Sequence, residues 1–218
     1  SPAAPILLDG LSKLEYRGYD SAGIAVFDGE KIQAQKATGR LKVLSELTHY
    51  GATMPGVSGI GHTRWATHGA PSNNNAHPHF NSDESIAVVH NGIIENYQKL
   101  KKYLEGKGYS FVSDTDTEVV AHLLDYYYKG DPIEAITKVM HRVEGSYALG
   151  IMFKVHPGLL YAVRKDSPLI VGHGKDGNLI ASDVPAVLKY TRKVYFIQNE
   201  EIAALTKDGI SFYNVDGD

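Results

Sequence analysis

Apolar residues recur at helical spacing at the start of the chain, where Ala4, Leu7, Leu8, Leu11 and Leu14 share a face. Pro2 suits a first helical turn and Ser1 its cap, so a helix is expected that ends in a turn at Arg17-Gly18-Tyr19-Asp20. Residues 22–27 and 86–89 are instead almost wholly apolar, short and rich in β-branched side chains, the pattern of strands buried on both faces. Helical periodicity returns over about residues 97–105, 118–129 and 133–142, and strands are expected over 146–153, 159–163, 169–171 and 178–181. Turns as short as His156-Pro157-Gly158 and Lys175-Asp176-Gly177 leave no room for crossover helices, so the pairing is mostly antiparallel.

Antiparallel strands that are apolar on both faces need cover on each side. Two sheets packed face to face, with helices outside, supply it. The expected fold is therefore α+β, a four-layer α/β/β/α sandwich of two mostly antiparallel sheets. No repeat, low-complexity tract or linker divides the 218 residues, which predicts a single domain over 1–218.

Composition narrows the chemistry. With 22 Lys and Arg against 25 Asp and Glu the net charge is −3, which offers no general field for nucleic acid or an anionic membrane. No apolar run approaches the roughly 18 residues of a membrane span, and the N-terminus lacks a signal-peptide pattern, so a cytoplasmic chain is expected. Cysteine is absent, which removes disulfides, thiolate metal sites and, from these residues themselves, a cysteine nucleophile.

Candidate chemistry concentrates in residues 62–92, a segment with five of the ten histidines (His62, His68, His77, His79 and His90) and the only tryptophan, Trp65. Rich in Gly, Pro, Asn and His, it looks like a loop between buried strands, a common place for a site. The histidine spacings fit no standard metal scaffold, so no metal is expected. A small carboxylate-bearing substrate fits better. Arg64 offers a planar fork for two parallel hydrogen bonds to a carboxylate, and Thr67 and His68 can add donors. Asn91-Gly92 pairs an amide side chain with a backbone N–H, plausible donors for an oxyanion, although Asn-Gly is equally the signature of a hairpin turn. Thr115 and Glu118 have capping-box spacing at a helix start. Asp116 between them either stabilises the helix dipole or binds an ammonium group. Arg for carboxylate, Asp for ammonium and an oxyanion pair together describe an α-amino acid attacked at its side-chain carbonyl.

The ordered segments Leu14-Glu15-Tyr16-Arg17-Gly18-Tyr19-Asp20-Ser21-Ala22-Gly23, His62-Thr63-Arg64-Trp65-Ala66-Thr67-His68-Gly69, Asn75-Ala76-His77-Pro78-His79, His90-Asn91-Gly92-Ile93-Ile94-Glu95-Asn96 and Thr115-Asp116-Thr117-Glu118 resemble the glutaminase domain of the glutamine–fructose-6-phosphate aminotransferase family. These are N-terminal-nucleophile (class II) amidotransferases. Lys165-Asp166-Ser167-Pro168-Leu169 and Ile180-Ala181-Ser182-Asp183 extend the resemblance through essentially the whole chain. It implies the same α/β/β/α sandwich, needs no cofactor, and implies hydrolysis of L-glutamine by a first-position cysteine whose own α-amino group serves as general base. By motif, Arg64, Thr67 and His68 would bind the α-carboxylate and Asp116 the α-ammonium. Asn91 and Gly92 would form the oxyanion hole, and Trp65 would sit on a loop closing over glutamine. A C-terminal isomerase domain would use the ammonia to aminate fructose 6-phosphate, in a homodimer.

Ser1 aligns with the helix that follows the family's leading strand, and the chain stops near the family's linker. The expectation is thus a glutaminase domain without its cysteine strand and without an isomerase domain, inactive by itself. Ser1-Pro2 precedes a helix rather than opening a core strand, so Ser1 is not expected to act as nucleophile. The alternatives are a non-catalytic domain that binds glutamine or a partner, and another class II amidotransferase such as the phosphoribosyl-pyrophosphate type. Trp65 and the match at 75–79 count against the latter.

Overall fold

The computed structural model describes residues 1–65 and 69–214. Its elements follow in the order α1 (Ala3–Ser12), β1 (Ser21–Phe27), β2 (Ile32–Thr38), α2 (Leu41–Leu47), β3 (Ser58–Arg64), β4 (His79–Phe80), β5 (Ile86–Ile94), α3 (Tyr97–Gly106), α4 (Thr117–Tyr127), α5 (Pro132–Arg142), β6 (Gly145–Phe153), β7 (Leu160–Lys165), β8 (Ile170–Gly174), β9 (Gly177–Ala181), β10 (Val194–Phe196), β11 (Glu201–Leu205) and β12 (Ile210–Asn214). Every pair of these strands runs antiparallel. They form a six-stranded sheet, β12-β11-β7-β6-β5-β4, and two three-stranded sheets, β2-β1-β3 and β10-β8-β9.

The period of two along β6 assigns the layers. Tyr147, Leu149, Ile151 and Phe153 pack with Leu100, Leu104, Val120, Leu123, Leu124 and Ile136 of α3, α4 and α5. On the opposite face Ala87 and Met152 meet Ala25, Ile32 and Ile60 of one small sheet. Ala148, Ala162, Ala203 and Leu205 meet Leu169 and Val171 around the other. The outer face of β1, with Ala22, Ile24 and Val26, is covered by Ala4, Leu8 and Leu11 of α1 and by Leu41 and Leu44 of α2. The layers are therefore α/β/β/α, with the second β layer divided between two small sheets. Each fully buried Leu or Ile contributes roughly 1.5–3 kcal/mol of transfer free energy, so the two β layers are held mainly by apolar side chains on their facing surfaces.

Several local expectations need correction. Ser1 does not cap α1: Pro2 occupies the cap position without a side-chain bond, and the N–H of Ala3 donates to the Gly56 carbonyl at 2.9 Å. A backbone acceptor from a distant loop thus does the work expected of a hydroxyl. Residues 62–92 are not one loop, because His62 and Arg64 end β3 and His90, Asn91 and Gly92 lie within β5. Asn91-Gly92 is accordingly not a hairpin turn; the two residues pair with Ala148 and Tyr147 of β6. β2, α2 and β3 all fall in residues 28–64, where Gln33 and Gln35 alternate with small apolar residues on an edge strand, Lys36 interrupts that alternation, and Gly59 and Gly61 weaken the apolar pattern of β3.

Candidate active site

The site forms where β3 of one layer and β5 of the other deliver polar residues to the N-terminus of α4. Arg64, Asn91, Gly92 and Asp116 all line a single cavity of about 170 Å³, together with Leu14, Arg17, Gly18, Trp65, His62, His77, His90, Thr115 and Thr117. That volume is below the roughly 300–1,000 Å³ of drug-sized sites and sets the scale of the ligand as small. Thr67 and His68 lie outside the described residues.

Arg64 is 3% exposed, and its guanidinium donates from Nη2 to the Gly69 carbonyl at 3.0 Å and from Nη1 to the Ala70 carbonyl at 3.3 Å. Asp20 Oδ1 stands 3.7 Å from Nη1. Register places Arg64 opposite Ser21, so strand pairing as well as side-chain bonds holds the base of this arginine. Asp116, also 3% exposed, accepts the N–H of Ile94 on Oδ2 at 2.8 Å, which ties the head of α4 to the end of β5.

Gly92 has φ 121°, and a Cβ there would overlap the Ser146 carbonyl oxygen, so both conformation and space demand glycine. Beside it, Asn91 Oδ1 lies 2.7 Å from His62 Nε2, and Asn91 Nδ2 has no hydrogen-bond partner among the described residues. An amide donor and a backbone N–H at adjacent positions can serve an oxyanion.

The histidines brace this arrangement. His62 stacks on His77 with centroids 4.1 Å apart, and His77 meets the edge of His79 at 4.7 Å. His79 Nε2 bonds Thr115 Oγ1 at 3.0 Å, and His90 Nδ1 bonds Thr117 Oγ1 at 2.8 Å. Burial disfavours the imidazolium form: it lowers His62 to about 4 and holds His77 and His79 well below the ordinary histidine value. These rings are neutral near pH 7. Among the described residues, no group of three or more His, Asp or Glu is placed to hold a metal ion.

The capping box does not form. Thr115 turns its hydroxyl to His79, and no side chain caps α4. Glu118, 1% exposed, instead accepts from Ser113 N at 2.7 Å, Val112 N at 3.0 Å and His122 Nε2 at 2.8 Å. Burial alone would raise its carboxyl, but these donors outweigh burial and bring it down to about 2.

Sequence reasoning missed two residues. Arg17, given no role beyond the turn and the segment that contain it, is a second guanidinium at the cavity and donates to Ser182 Oγ at 2.8 Å. Its signal was the following Gly18, whose φ of 118° lets the Trp65 ring lie against it: a Cβ there would come 2.8 Å from Trp65 Cε3. Trp65 is otherwise 68% exposed. Asn75, which the sequence placed in the segment Asn75-Ala76-His77-Pro78-His79 without a role of its own, donates to the Ala70 carbonyl at 2.9 Å and accepts the Asp114 N–H at 2.9 Å. It thereby joins the loop held by Arg64 to the loop that leads to Asp116.

The chain aligns with the N-terminal region of enzymes called glutamine–fructose-6-phosphate aminotransferase (isomerizing). It is 60% identical over 215 residues to the protein of Caldanaerobacter subterraneus subsp. tengcongensis, with 99% of this chain and 35% of that protein covered. It is 50% identical over 216 residues to the protein of a Thermus thermophilus strain, with the same coverage. The chain thus spans about a third of the length of these relatives. Among solved structures, the glutamine phosphoribosylpyrophosphate amidotransferase of B. subtilis, complexed with ADP and GMP, superposes with a TM-score of 0.85 at 28% identity, over 97% of this chain and 47% of that one. The profile of the glutamine amidotransferase domain matches residues 62–189, more than half of the chain and all of the residues that line the cavity from β3 to α4, so the protein belongs to the glutamine amidotransferase domain family.

Proposed function

We propose that residues 1–218 form one glutaminase domain of a glutamine–fructose-6-phosphate aminotransferase, in which L-glutamine is hydrolysed to glutamate and ammonia. One observation carries it: a buried guanidinium, a buried carboxylate and the Asn91-Gly92 pair line the same small cavity. Arg64, with Thr67 and His68, holds the α-carboxylate, and Asp116 holds the α-ammonium. Asn91 Nδ2 and the Gly92 N–H receive the negative charge that develops on the side-chain carbonyl oxygen, a contribution of about 10² to 10³ in rate per donor. Trp65 lies on the loop that closes over the substrate.

None of the 218 residues is a cysteine, so the thiol that attacks the amide belongs to a residue outside them. A first-position cysteine would also supply its α-amine as general base, taking the thiol proton and passing it to the departing ammonia. The chain alone is then inactive. The ammonia is used by an isomerase domain of the same polypeptide to form glucosamine 6-phosphate from fructose 6-phosphate, in a cytoplasmic homodimer. The 60% identity to a relative of that name supports this over the phosphoribosylpyrophosphate type, where identity is 28%.

Glutamate release tests the assignment. The full-length protein should convert glutamine to glutamate, and with fructose 6-phosphate should form glucosamine 6-phosphate; thiol alkylation should abolish glutamate release. A polypeptide of these 218 residues should release none. Glutamate from the short polypeptide, or none from the full-length protein, would overturn the proposal.

A further inference from the structure

An amide can serve an oxyanion only if its NH₂ end faces the reacting oxygen. The two ends of an asparagine amide are nearly the same shape, so packing alone does not choose between them, whereas hydrogen bonding does. For Asn91 the choice falls to His62, whose Nε2 is 2.7 Å from Oδ1. An amide oxygen only accepts, so this bond requires the proton on Nε2. Because burial lowers His62 to about 4, the ring carries one proton near neutral pH, and Nδ1, which has no hydrogen-bond partner among the described residues, is then bare. With the opposite tautomer, Nε2 would accept from the amide, and Asn91 would turn its oxygen toward the cavity, where it would repel an oxyanion.

We infer that His62 is a positioning residue for the oxyanion donor: its Nε2–H fixes which end of the Asn91 amide faces the cavity. This rests on the glutaminase assignment of Asn91. Three features make His62 a rigid pointer. It lies on β3, paired with Gly23 of β1, and so belongs to a different β layer from Asn91 on β5. Its ring is stacked 4.1 Å from His77 with only 22° between planes. The carbonyl of His77 in turn packs against Gly23, where any Cβ would overlap it. The bond is thus a direct polar link between the two sheets, aimed at the residue that meets the developing charge. Preorganisation of this kind avoids reorienting the dipole during reaction.

The proposal separates His62 from its histidine neighbours. His79 and His90 bond the Thr115 and Thr117 hydroxyls at the head of α4, so their loss disturbs the Asp116 side of the cavity and ammonium binding. Loss of His62 disturbs the transition state.

The test uses the full-length protein and glutamate release. His62→Leu should lower kcat tenfold or more and leave KM for glutamine within twofold, as Asn91→Ala should. Glutamine places an amide N–H near the position of imidazole Nε2, so His62→Gln should recover most of the loss. Because His62 acts through Asn91, the double variant His62→Leu/Asn91→Ala should be no slower than Asn91→Ala alone. Additive losses, a rise in KM in place of the fall in kcat, or unchanged kcat in His62→Leu would each overturn the proposal. Should His62→Leu fail to fold, ¹⁵N NMR of the wild-type imidazole decides: a neutral ring protonated at Nε2 at pH 7 supports it, and a proton on Nδ1 refutes it. An absence of glutamate release from the wild-type protein would instead refute the glutaminase assignment, while the tautomer could still be read.

Discussion

Replacing Glu118 by glutamine removes a charge that never contacts the cavity, yet the residue anchors the segment that presents Asp116. Its carboxylate takes N–H bonds from Ser113 and Val112 and from the His122 ring, at 1% exposure. The carboxyl is brought from 4.5 to about 2, which corresponds to about 3–4 kcal/mol of preference for the ionised form. Glutamine resembles the protonated acid and turns an NH₂ toward groups that are themselves donors, so Glu118→Gln should cost on the order of 3–4 kcal/mol. At roughly 2–4 °C per kcal/mol for a chain of this size, the midpoint of thermal unfolding should fall by about 6–15 °C at pH 7. The sign of the acid dependence follows from the lowered folded-state value. The stabilisation is fully present above about pH 4.5, where the unfolded carboxyl is also ionised, and is lost as pH falls toward 2. Thermal unfolding from pH 7 to pH 2.5 should therefore show the variant and wild type converging at the acid end. A variant within 1 kcal/mol of wild type at pH 7, or a difference constant across that range, would refute the assignment of the stabilisation to the ionised carboxylate.

Other substitutions separate binding from chemistry, each measured as glutamate release by the full-length protein. Arg64→Lys should raise KM for glutamine about tenfold or more with little change in kcat, because a point charge replaces a planar fork already steadied by the Gly69 and Ala70 carbonyls. Gly92→Ala should lower kcat by about 10² or more, since the new Cβ overlaps the Ser146 carbonyl and would displace the N–H proposed to receive the oxyanion. Asn75→Ala removes both bonds of the clasp between Ala70 and Asp114 and should raise KM several-fold while lowering stability by about 1–3 kcal/mol, read by urea unfolding. Unchanged KM in Asn75→Ala would show that the two loops are held apart from this residue.

The layered fold was legible because residues 22–27 and 86–89 are apolar on both faces and therefore demanded cover on both sides. The division of the second β layer was not, since β2 is an edge strand with Gln33, Gln35 and Lys36 along it, and its polar alternation carries little burial signal. At the site, the sequence singled out residues that share one cavity but not their local setting. Arg64, Asn91, Gly92 and Asp116 do meet at one cavity. Yet Asn91-Gly92 has the composition of a turn and lies in a strand, because Gly92 serves a close approach to Ser146 rather than a reversal. The Thr115 and Glu118 spacing was right for a cap, but long-range partners, His79 for one and the Ser113 and Val112 backbone for the other, took both side chains. Arg17 escaped notice because what places it at the cavity is Ser182, far along the chain.

The central claim is that this cavity holds the α-amino and α-carboxyl groups of glutamine between Asp116 and Arg64, with its side chain directed at Asn91 and Gly92. A structure of the full-length protein with glutamate bound measures this directly. The account predicts the α-carboxylate within hydrogen-bond distance of the Arg64 guanidinium, the α-ammonium on the Asp116 carboxylate, and a side-chain oxygen facing Asn91 Nδ2 and the Gly92 N–H. Glutamate bound elsewhere, or bound here with its side chain turned away from Asn91 and Gly92, would contradict it.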